Sequence, residues 1–430
     1  MRGATQRAPG SKAGKAVPRW TGWVSMPVAL AATAGTFLLG WLQKLPCHSA
    51  GWPYDWQLMF GRRCYSDLPV LYTARGLAQG IFPYAPEAGN GLEYPVVTGV
   101  VMDLTARLSR WLTAGSDPLA PAAIQTFVEL TALLLLCCAL IAVWATANTR
   151  GRPVDGLLVA IAPTLALTGT INWDLLAVAA TALAVLAWAR ERPALAGALL
   201  GLGAAAKLYP VLLLGPIVVL ALRAGAPRRA LRAVGAAAVT WVAVNLPIAI
   251  AYPAGWAEFW RFNAHRPAEF GSVWYALGLL GHPVGALNPI AIGLFAVAAA
   301  GIGVLAMKAP RPPSLAALGF LTVAAFVVTN KVYSPQYVLW LLPLAVLARP
   351  SIVELLAWQA AEVYYWWSVW GYLGTGLVGH YPAATFLRIG ATLWLAARVV
   401  WQILHPPVQC EPQPCACSLR QVEPSAEYAA

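Results

Sequence analysis

The fold is decided by residues 173–222, which have the sequence WDLLAVAATALAVLAWARERPALAGALLGLGAAAKLYPVLLLGPIVVLAL. Three apolar runs follow one another here, at 173–189, 194–206 and 208–222, separated only by a short connection with Arg190 and Arg192 and then by Lys207. Apolar runs joined by such short polar connections predict helices that cross a bilayer back and forth.

The same pattern continues over most of the chain. Further apolar runs lie at 24–45, 121–147, 156–171, 233–251, 284–307, 314–329, 336–348, 351–371 and 383–404. The chain is 59% hydrophobic and 11% charged, whereas about 25% of the residues of a soluble domain are charged. These observations predict an all-α polytopic membrane protein with about twelve transmembrane helices.

The predicted organisation is a single membrane domain. Residues 1–23 form a cytoplasmic basic arm, 24–404 the transmembrane domain with an outer loop at 46–120, and 405–430 a cytoplasmic disordered tail. A cleaved signal peptide is the alternative for the first apolar run, but many spans follow it, which favours a retained helix.

The positive charges set the orientation. The net charge of +12 could indicate nucleic-acid binding, but the basic residues cluster in short connections and in the N-terminal arm. This distribution is typical of cytoplasmic loops and predicts that both termini are cytoplasmic. The connections in question carry Arg150, Arg152, Arg190, Arg192, Arg223, Arg228, Arg229, Arg232, Lys308 and Arg311.

Two segments of the outer loop are predicted to be helices at the membrane interface. In 95–112, Asp103, Arg107 and Arg110 recur at helical spacing after an apolar start, which is typical of an amphipathic interfacial helix. A second helix is predicted over 67–80, with Ser66 as its N-cap. If 95–112 crossed the membrane instead, the downstream topology would be inverted.

The seven cysteines do not predict a disulfide framework. Cys47 and Cys64 lie in the same outer loop, where either a disulfide or two free thiols would fit. Cys410, Cys415 and Cys417 lie in a Pro-rich tail, where a metal site is less expected than an unstructured segment.

Most unusual polar residues lie on the predicted outer face, and Asp67 comes first among them. A carboxylate at the start of a helix is favoured in its ionised form by the helix dipole. In a water-poor cleft it could accept a proton from a substrate hydroxyl. Arg75 follows on nearly the same helix face. The alternative is that Asp67 is merely an N-terminal residue of the helix.

Three outer cations lie at predicted membrane boundaries: Lys207, Arg266 and Lys331. Each could extend to water as a snorkelling side chain, but three on one face favour a phosphate site. Asp174 is either a helix cap or a site residue. Glu129 and Glu362 fall within or near spans, where carboxylates are functional candidates, and neither has an obvious partner in the sequence. The sequence contains no Walker A, GxSxG, HExxH or zinc-type motif.

A set of short motifs resembles glycosyltransferase family 87 over roughly residues 60 to 345. The motifs, which follow Asp67 in order, are Gly80-Ile81-Phe82-Pro83-Tyr84, Glu93-Tyr94-Pro95, Asn172-Trp173-Asp174, Lys207-Leu208-Tyr209-Pro210 and Ser334-Pro335-Gln336-Tyr337. The family often has a second proline after Glu-Tyr-Pro, where this chain has Val96. The resemblance implies a GT-C-like membrane fold and an enzyme that uses polyprenyl-phosphate sugars.

The resemblance also implies roles for individual residues. Asp67 would be the general base, and Lys207, Arg266 and Lys331 would hold the donor phosphate. The expected reaction inverts the anomeric carbon and needs neither metal nor cofactor. The composition is typical of a GC-rich bacterial genome, and together with the resemblance it suggests an actinobacterium that makes mannosylated or arabinosylated envelope glycans. Mannose is therefore the first sugar expected and arabinose the second. The expected acceptor is an envelope glycolipid or polysaccharide, and no nucleic acid takes part. The substrate-binding candidates are Arg75, Tyr84, Glu93, Tyr94, Asn172, Asp174, Tyr209, His265 and Gln336.

A secondary transporter or lipid flippase is the main alternative function. It predicts inverted repeats and polar groups along a path through the membrane. No convincing repeat occurs, and the polar residues gather at one face. A non-catalytic scaffold is the third possibility.

Overall fold

A computed structural model describes residues 24–52, 55–89, 91–348 and 350–406. Within these ranges the regular structure is helical and no strand occurs, which confirms the all-α prediction. The predicted basic arm, residues 407–430 of the predicted tail and the three tail cysteines lie outside the described residues.

The helices include both long spans and short interfacial elements. The first ten are α1 (Met26–Gln43), α2 (Leu45–Ser49), α3 (Trp56–Gly61), α4 (Asp67–Ala74), α5 (Val96–Leu112), α6 (Pro121–Thr149), α7 (Pro153–Ala160), α8 (Pro163–Thr168), α9 (Asp174–Ala189) and α10 (Pro193–Ala206). The others are α11 (Leu214–Arg223), α12 (Pro227–Ala251), α13 (Pro253–His265), α14 (Val273–Leu279), α15 (Leu287–Lys308), α16 (Leu315–Thr329), α17 (Val338–Ala348), α18 (Ile352–Thr375) and α19 (Tyr381–Leu404).

Five of these helices are long and apolar enough to cross a membrane: α1, α6, α12, α15 and α19. Shorter apolar helices include α9, α10 and α16. The chain is therefore a membrane protein by the length and composition of its helices, while the count of about twelve spans stays a prediction.

Several predicted boundaries were wrong for local reasons. The run 156–171 is divided between α7 and α8, because Pro163 cannot donate a backbone hydrogen bond and begins a new helix. The helix predicted over 67–80 ends at Ala74, and Gly76 follows with φ of +71°, a left-handed conformation that terminates helices. Helix α12 begins at Pro227, so Arg228, Arg229 and Arg232 lie in its first turns rather than in a connection.

Helix α10 packs closely against α9 and α12. A Cβ atom at Gly197 or Gly201 would overlap the backbone carbonyl of Ala233 or Ala237 on α12. Small residues spaced by four allow two membrane helices to approach this closely. The close contact fixes the end of α10, where Lys207 follows.

The outer loop is tied to the helix ends at several points. Cys47 and Cys64 form a disulfide with Cα atoms 5.7 Å apart, which answers the question that the sequence left open. Lys44 Nζ donates to the carbonyl of Tyr65 over 2.7 Å. The hydroxyl of Thr98, in the first turn of α5, donates to the carbonyl of Ala206 over 2.8 Å. The start of α5 therefore lies beside the end of α10.

Glu362 has a partner that the sequence did not reveal. Arg388 on α19 donates from Nε to the Glu362 carboxylate on α18 over 2.8 Å, and both side chains are buried. The other intramembrane candidate, Glu129, is exposed and accepts a hydrogen bond from Gln125 over 2.6 Å. Glu362 is thus part of an ion pair between two helices.

Candidate active site

A cavity of about 760 Å³ lies where the outer-loop segments meet the ends of several helices. Eight of the predicted site residues line it: Asp67, Arg75, Glu93, Tyr94, Asn172, Lys207, Arg266 and Gln336. Residues from six separate parts of the chain therefore meet around one space.

Asp67 is held at the cavity by the capping of α4. The hydroxyl of Ser66 accepts from the amide of Leu68 over 3.2 Å, which confirms the predicted N-cap, and donates to the carbonyl of Thr170 over 2.7 Å. The amide of Asp67 donates to the carbonyl of Ile171 over 2.7 Å. The start of α4 is thereby attached to the segment that precedes α9.

Both carboxylate oxygens of Asp67 have phenol partners. The hydroxyl of Tyr65 donates to Oδ1 over 2.6 Å, and the hydroxyl of Tyr94 donates to Oδ2 over 3.2 Å. Burial raises the pKa of Asp67, although these hydrogen bonds and the positive charge of Lys207 act in the opposite direction. A carboxylate with a raised pKa accepts a proton more readily than an ordinary one.

Lys207 is fixed by an ion pair behind the cavity wall. Its Nζ lies 2.9 Å from Oδ1 of Asp174, and Oδ2 of Asp174 accepts from Trp340 Nε1 over 3.1 Å. Burial alone would lower the pKa of Lys207, but the charges of Asp174, Tyr337 and Asp67 and the hydrogen bond to Asp174 together outweigh it, so the pKa is raised. Lys207 Nζ also lies 4.6 Å from the centre of the Tyr94 ring. Tyr94 therefore contacts both Asp67 and Lys207.

A second cation, Arg266, faces the cavity just after α13. Its guanidinium binds Glu269 through two hydrogen bonds, of which the one from Nε to Oε1 is 2.6 Å long. The carbon of the guanidinium lies 5.2 Å from the centre of the Phe262 ring. The planar fork of arginine suits phosphate oxygens as well as a carboxylate.

Polar side chains complete the lining. Arg75 and Glu93 form an ion pair of 2.7 Å. Asn172 Nδ2 lies 3.5 Å from the hydroxyl oxygen of Tyr94, and its Oδ1 accepts from the amide of Asp174 over 3.0 Å. The buried Oε1 of Gln336 has no hydrogen-bond partner within the described residues. That atom is available to a substrate hydroxyl.

Five predicted site residues do not line the cavity. Asp174 is buried behind Lys207, and Tyr209 is buried against Trp340. Tyr84 donates to the carbonyl of Tyr94 over 3.0 Å. Asp174 and Tyr84 therefore contact lining residues, whereas Tyr209 packs on Trp340, which donates to Asp174.

His265 and Lys331 have neighbours of their own. His265 is exposed, with Nδ1 2.8 Å from the carbonyl of Arg261. Lys331 Nζ donates to Asn288 Oδ1 over 2.7 Å and to the carbonyl of Ala264 over 3.3 Å. Lys331 therefore holds the segment that carries Arg266.

The sequence did not identify an aromatic part of the cavity lining. Trp56 and Phe60 on α3, Tyr65 before α4 and Trp370 on α18 line the cavity together. We call these four residues the aromatic wall. In the sequence these residues look like the aromatic belt that membrane proteins place at the interface. The only signal that could have identified one of them as a site residue is that Tyr65 lies two positions before Asp67.

The chain was compared with known protein families and curated proteins. The model of glycosyltransferase family 87 matches residues 94–329, more than half of the chain. The match includes Tyr94, Asn172, Lys207 and Arg266, whereas Asp67 precedes it. No curated protein matches the chain.

Proposed function

The chain belongs to glycosyltransferase family 87, and we propose that it is an inverting enzyme of the outer membrane face that uses a polyprenyl-phosphate sugar. The acceptor is an envelope glycolipid or polysaccharide, and mannose is the first sugar to test. The observation that carries this proposal is the shared cavity of Asp67 and Lys207, with Tyr94 in contact with both. A carboxylate base and a cation meet there in one water-accessible space.

The proposed reaction is a single displacement at the anomeric carbon. An acceptor hydroxyl forms the new carbon–oxygen bond while its proton passes to Asp67. The bond between the anomeric carbon and the donor phosphate breaks, and its electron pair leaves with the phosphate. Because attack and departure occur on opposite faces of the carbon, the product has the inverted configuration.

The cations would stabilise the charge on the leaving phosphate. Lys207 and Arg266 line the cavity, and positive groups placed where negative charge develops lower the barrier. Lys331 is not assigned to the phosphate, because it does not line the cavity and its ammonium donates to Asn288 and to the carbonyl of Ala264 instead. The donor phosphate carries one negative charge and the leaving phosphate two, and lysine and arginine side chains can offset this charge without a metal ion.

The direct test is a transfer assay with purified protein. Full-length protein in nanodiscs is given polyprenyl-phosphate mannose or polyprenyl-phosphate arabinose and a glycolipid acceptor, and the product is analysed for a new glycosidic bond. We expect a new bond with inverted configuration. Movement of lipid between leaflets without a new bond would overturn the enzyme proposal in favour of a flippase.

The orientation has its own test. The disulfide between Cys47 and Cys64 agrees with an oxidising outer compartment. Single cysteines at the exposed positions of Glu87 and Arg228 are introduced after the five cysteines other than Cys47 and Cys64 are replaced by serine. A membrane-impermeant thiol reagent should label Glu87→Cys from outside and miss Arg228→Cys. The reverse pattern would place the cavity on the cytoplasmic side.

A further inference from the structure

The aromatic wall is a continuous stack beside the proposed base. Trp56 is parallel to Phe60 with ring centres 5.4 Å apart, and Phe60 is parallel to Trp370 at 5.6 Å. Tyr65 lies 5.2 Å from Trp370. Trp56, at the edge of the stack, is 41% exposed. An aromatic surface that lines a polar cavity offers an apolar face next to hydrogen-bonding groups.

Asp67 contacts the aromatic wall through one carboxylate oxygen and is linked to Lys207, by way of Tyr94, through the other. Tyr65 of the wall is bonded to Oδ1. Tyr94, which lies under the ammonium of Lys207, is bonded to Oδ2. Asp67 therefore stands between an aromatic side and a cationic side of the same cavity.

We propose that the aromatic wall binds the sugar ring of the acceptor. This inference rests on the proposed function. If the donor phosphate lies at Lys207 and Arg266, the attacking hydroxyl must approach the anomeric carbon from the opposite side. The hydroxyl must also reach Asp67 to give up its proton. The Oδ1 side meets both conditions, and the wall lies there.

The chemistry of the wall fits a sugar ring. The face of a pyranose carries C–H groups with a small positive charge, and the face of an aromatic ring is negative. Polar partners for the ring hydroxyls line the same cavity, among them Arg75, Glu93 and Gln336. An isoprenoid chain has no hydroxyl groups for these polar residues to bind. It would extend from the phosphate on the cationic side of the cavity.

The kinetic test replaces the exposed tryptophan. Trp56→Ala should raise the acceptor KM about 2- to 10-fold, the size of one aromatic face contact, and leave the donor KM unchanged. Trp56→Phe should restore part of the loss. The matched control is Trp111→Ala, because Trp111 is an exposed tryptophan on α5 that does not line the cavity. An increase confined to the donor KM would assign the wall to the sugar or the isoprenoid chain of the donor and overturn the inference.

A binding measurement separates this inference from the proposed function. Saturation-transfer NMR is recorded with full-length protein and the methyl glycosides of mannose, glucose and galactose, without donor. We expect saturation of the C–H protons on one ring face for at least one glycoside, and its loss in Trp56→Ala. Equal saturation in Trp56→Ala and Trp111→Ala, or none in the wild type, would overturn the inference. If Trp56→Ala loses the saturation but the wild-type protein forms no glycosidic bond in the transfer assay, the sugar-binding wall stands and the proposed enzyme activity is rejected.

Discussion

Two ion pairs with buried carboxylates occupy different surroundings. Asp174 and Lys207 meet at 2.9 Å, and Lys207 borders the cavity. Glu362 and Arg388 meet at 2.8 Å, and neither side chain is more than 1% exposed. The two pairs carry the same kinds of charge in different surroundings. We call Asp174 and Lys207, of which Lys207 borders the cavity, the open pair, and Glu362 and Arg388, which are enclosed, the closed pair.

Arg388 makes two further hydrogen bonds inside the protein. The guanidinium donates to the carbonyl of Tyr333 over 2.5 Å and to that of Ser334 over 3.1 Å. Ser334 itself lines the cavity, as do Gln336 and Tyr337, which follow it in the chain. The closed pair can therefore affect the site only through the position of the backbone. An ammonium has three hydrogens, so Lys207 can bind a phosphate while it remains paired with Asp174.

The largest expected effect is on catalysis alone. Asp67→Asn keeps the shape of the side chain and removes the group that accepts the proton, so the transfer rate should fall about 100- to 10,000-fold. Because the amide oxygen of the introduced asparagine can still accept from Tyr65 or Tyr94, the melting temperature should change little. The measurement is the initial transfer rate at saturating donor together with a thermal unfolding curve. A rate within a few-fold of the wild type would remove Asp67 from the mechanism.

The closed pair should show the opposite behaviour. Arg388→Met leaves Glu362 buried without its partner and should lower the free energy of unfolding by about 3–5 kcal/mol. The measurement is unfolding of the purified protein in mixed micelles by increasing denaturing detergent. Any loss of activity should follow the loss of folded protein.

A double variant provides the control for the closed pair. Replacing both charges, in Arg388→Met with Glu362→Leu, removes the unpaired carboxylate and should recover much of the stability, since apolar replacements of buried pairs are often neutral. If Arg388→Met were as stable as the wild type, the pair would have no structural role and the comparison would fail.

Loss of the charge of Lys207 in the open pair should weaken donor binding more than acceptor binding. Lys207→Met removes one charged hydrogen bond to phosphate, worth about 1.5–3 kcal/mol, and should raise the donor KM about 10- to 150-fold. Because it also leaves the buried Asp174 carboxylate without its partner, the fraction of folded protein is measured in the same samples. The acceptor KM should change much less. Lys308→Met is the control, because Lys308 is an exposed cation at the end of α15, away from the cavity. Equal changes in both KM values would indicate a general loss of structure instead.

The sequence predicted the positions of the helices and of the site residues better than it predicted which side chains contact one another. Apolar runs marked most helices to within a few residues, because burial in a bilayer requires long apolar segments. Lys207 and Lys331 both follow an apolar run, and nothing local shows that Lys207 borders the cavity while Lys331 binds Asn288. The pairing of Glu362 with Arg388 also depends on how α18 and α19 pack. Such contacts join distant segments, so a local pattern does not determine them.

The smallest expected effect is on the pH dependence of transfer. The test removes one tyrosine hydroxyl from each of two carboxylates, Asp67 and Glu362, and compares the two variants. Tyr65→Phe removes the hydrogen bond to Asp67 and keeps the aromatic ring. Tyr333→Phe removes the hydroxyl that donates to Glu362 over 3.2 Å. Only Asp67 is proposed to accept a proton in the reaction, so only the first variant should change the pH profile of transfer.

The direction of that change follows from the charged form of the base. Asp67 must be ionised to accept a proton, so activity is lost as the pH falls through its pKa, which burial already raises. The Tyr65 hydroxyl favours the ionised form, and its removal should raise the pKa of Asp67 further. In Tyr65→Phe the loss of activity at acid pH should therefore begin at a higher pH, with the rate at the plateau within a few-fold of the wild type. Rates measured across the pH range provide the test, with Tyr333→Phe as the matched control. A shift to lower pH, or equal shifts in both variants, would show that the carboxylate of Asp67 does not control the rate.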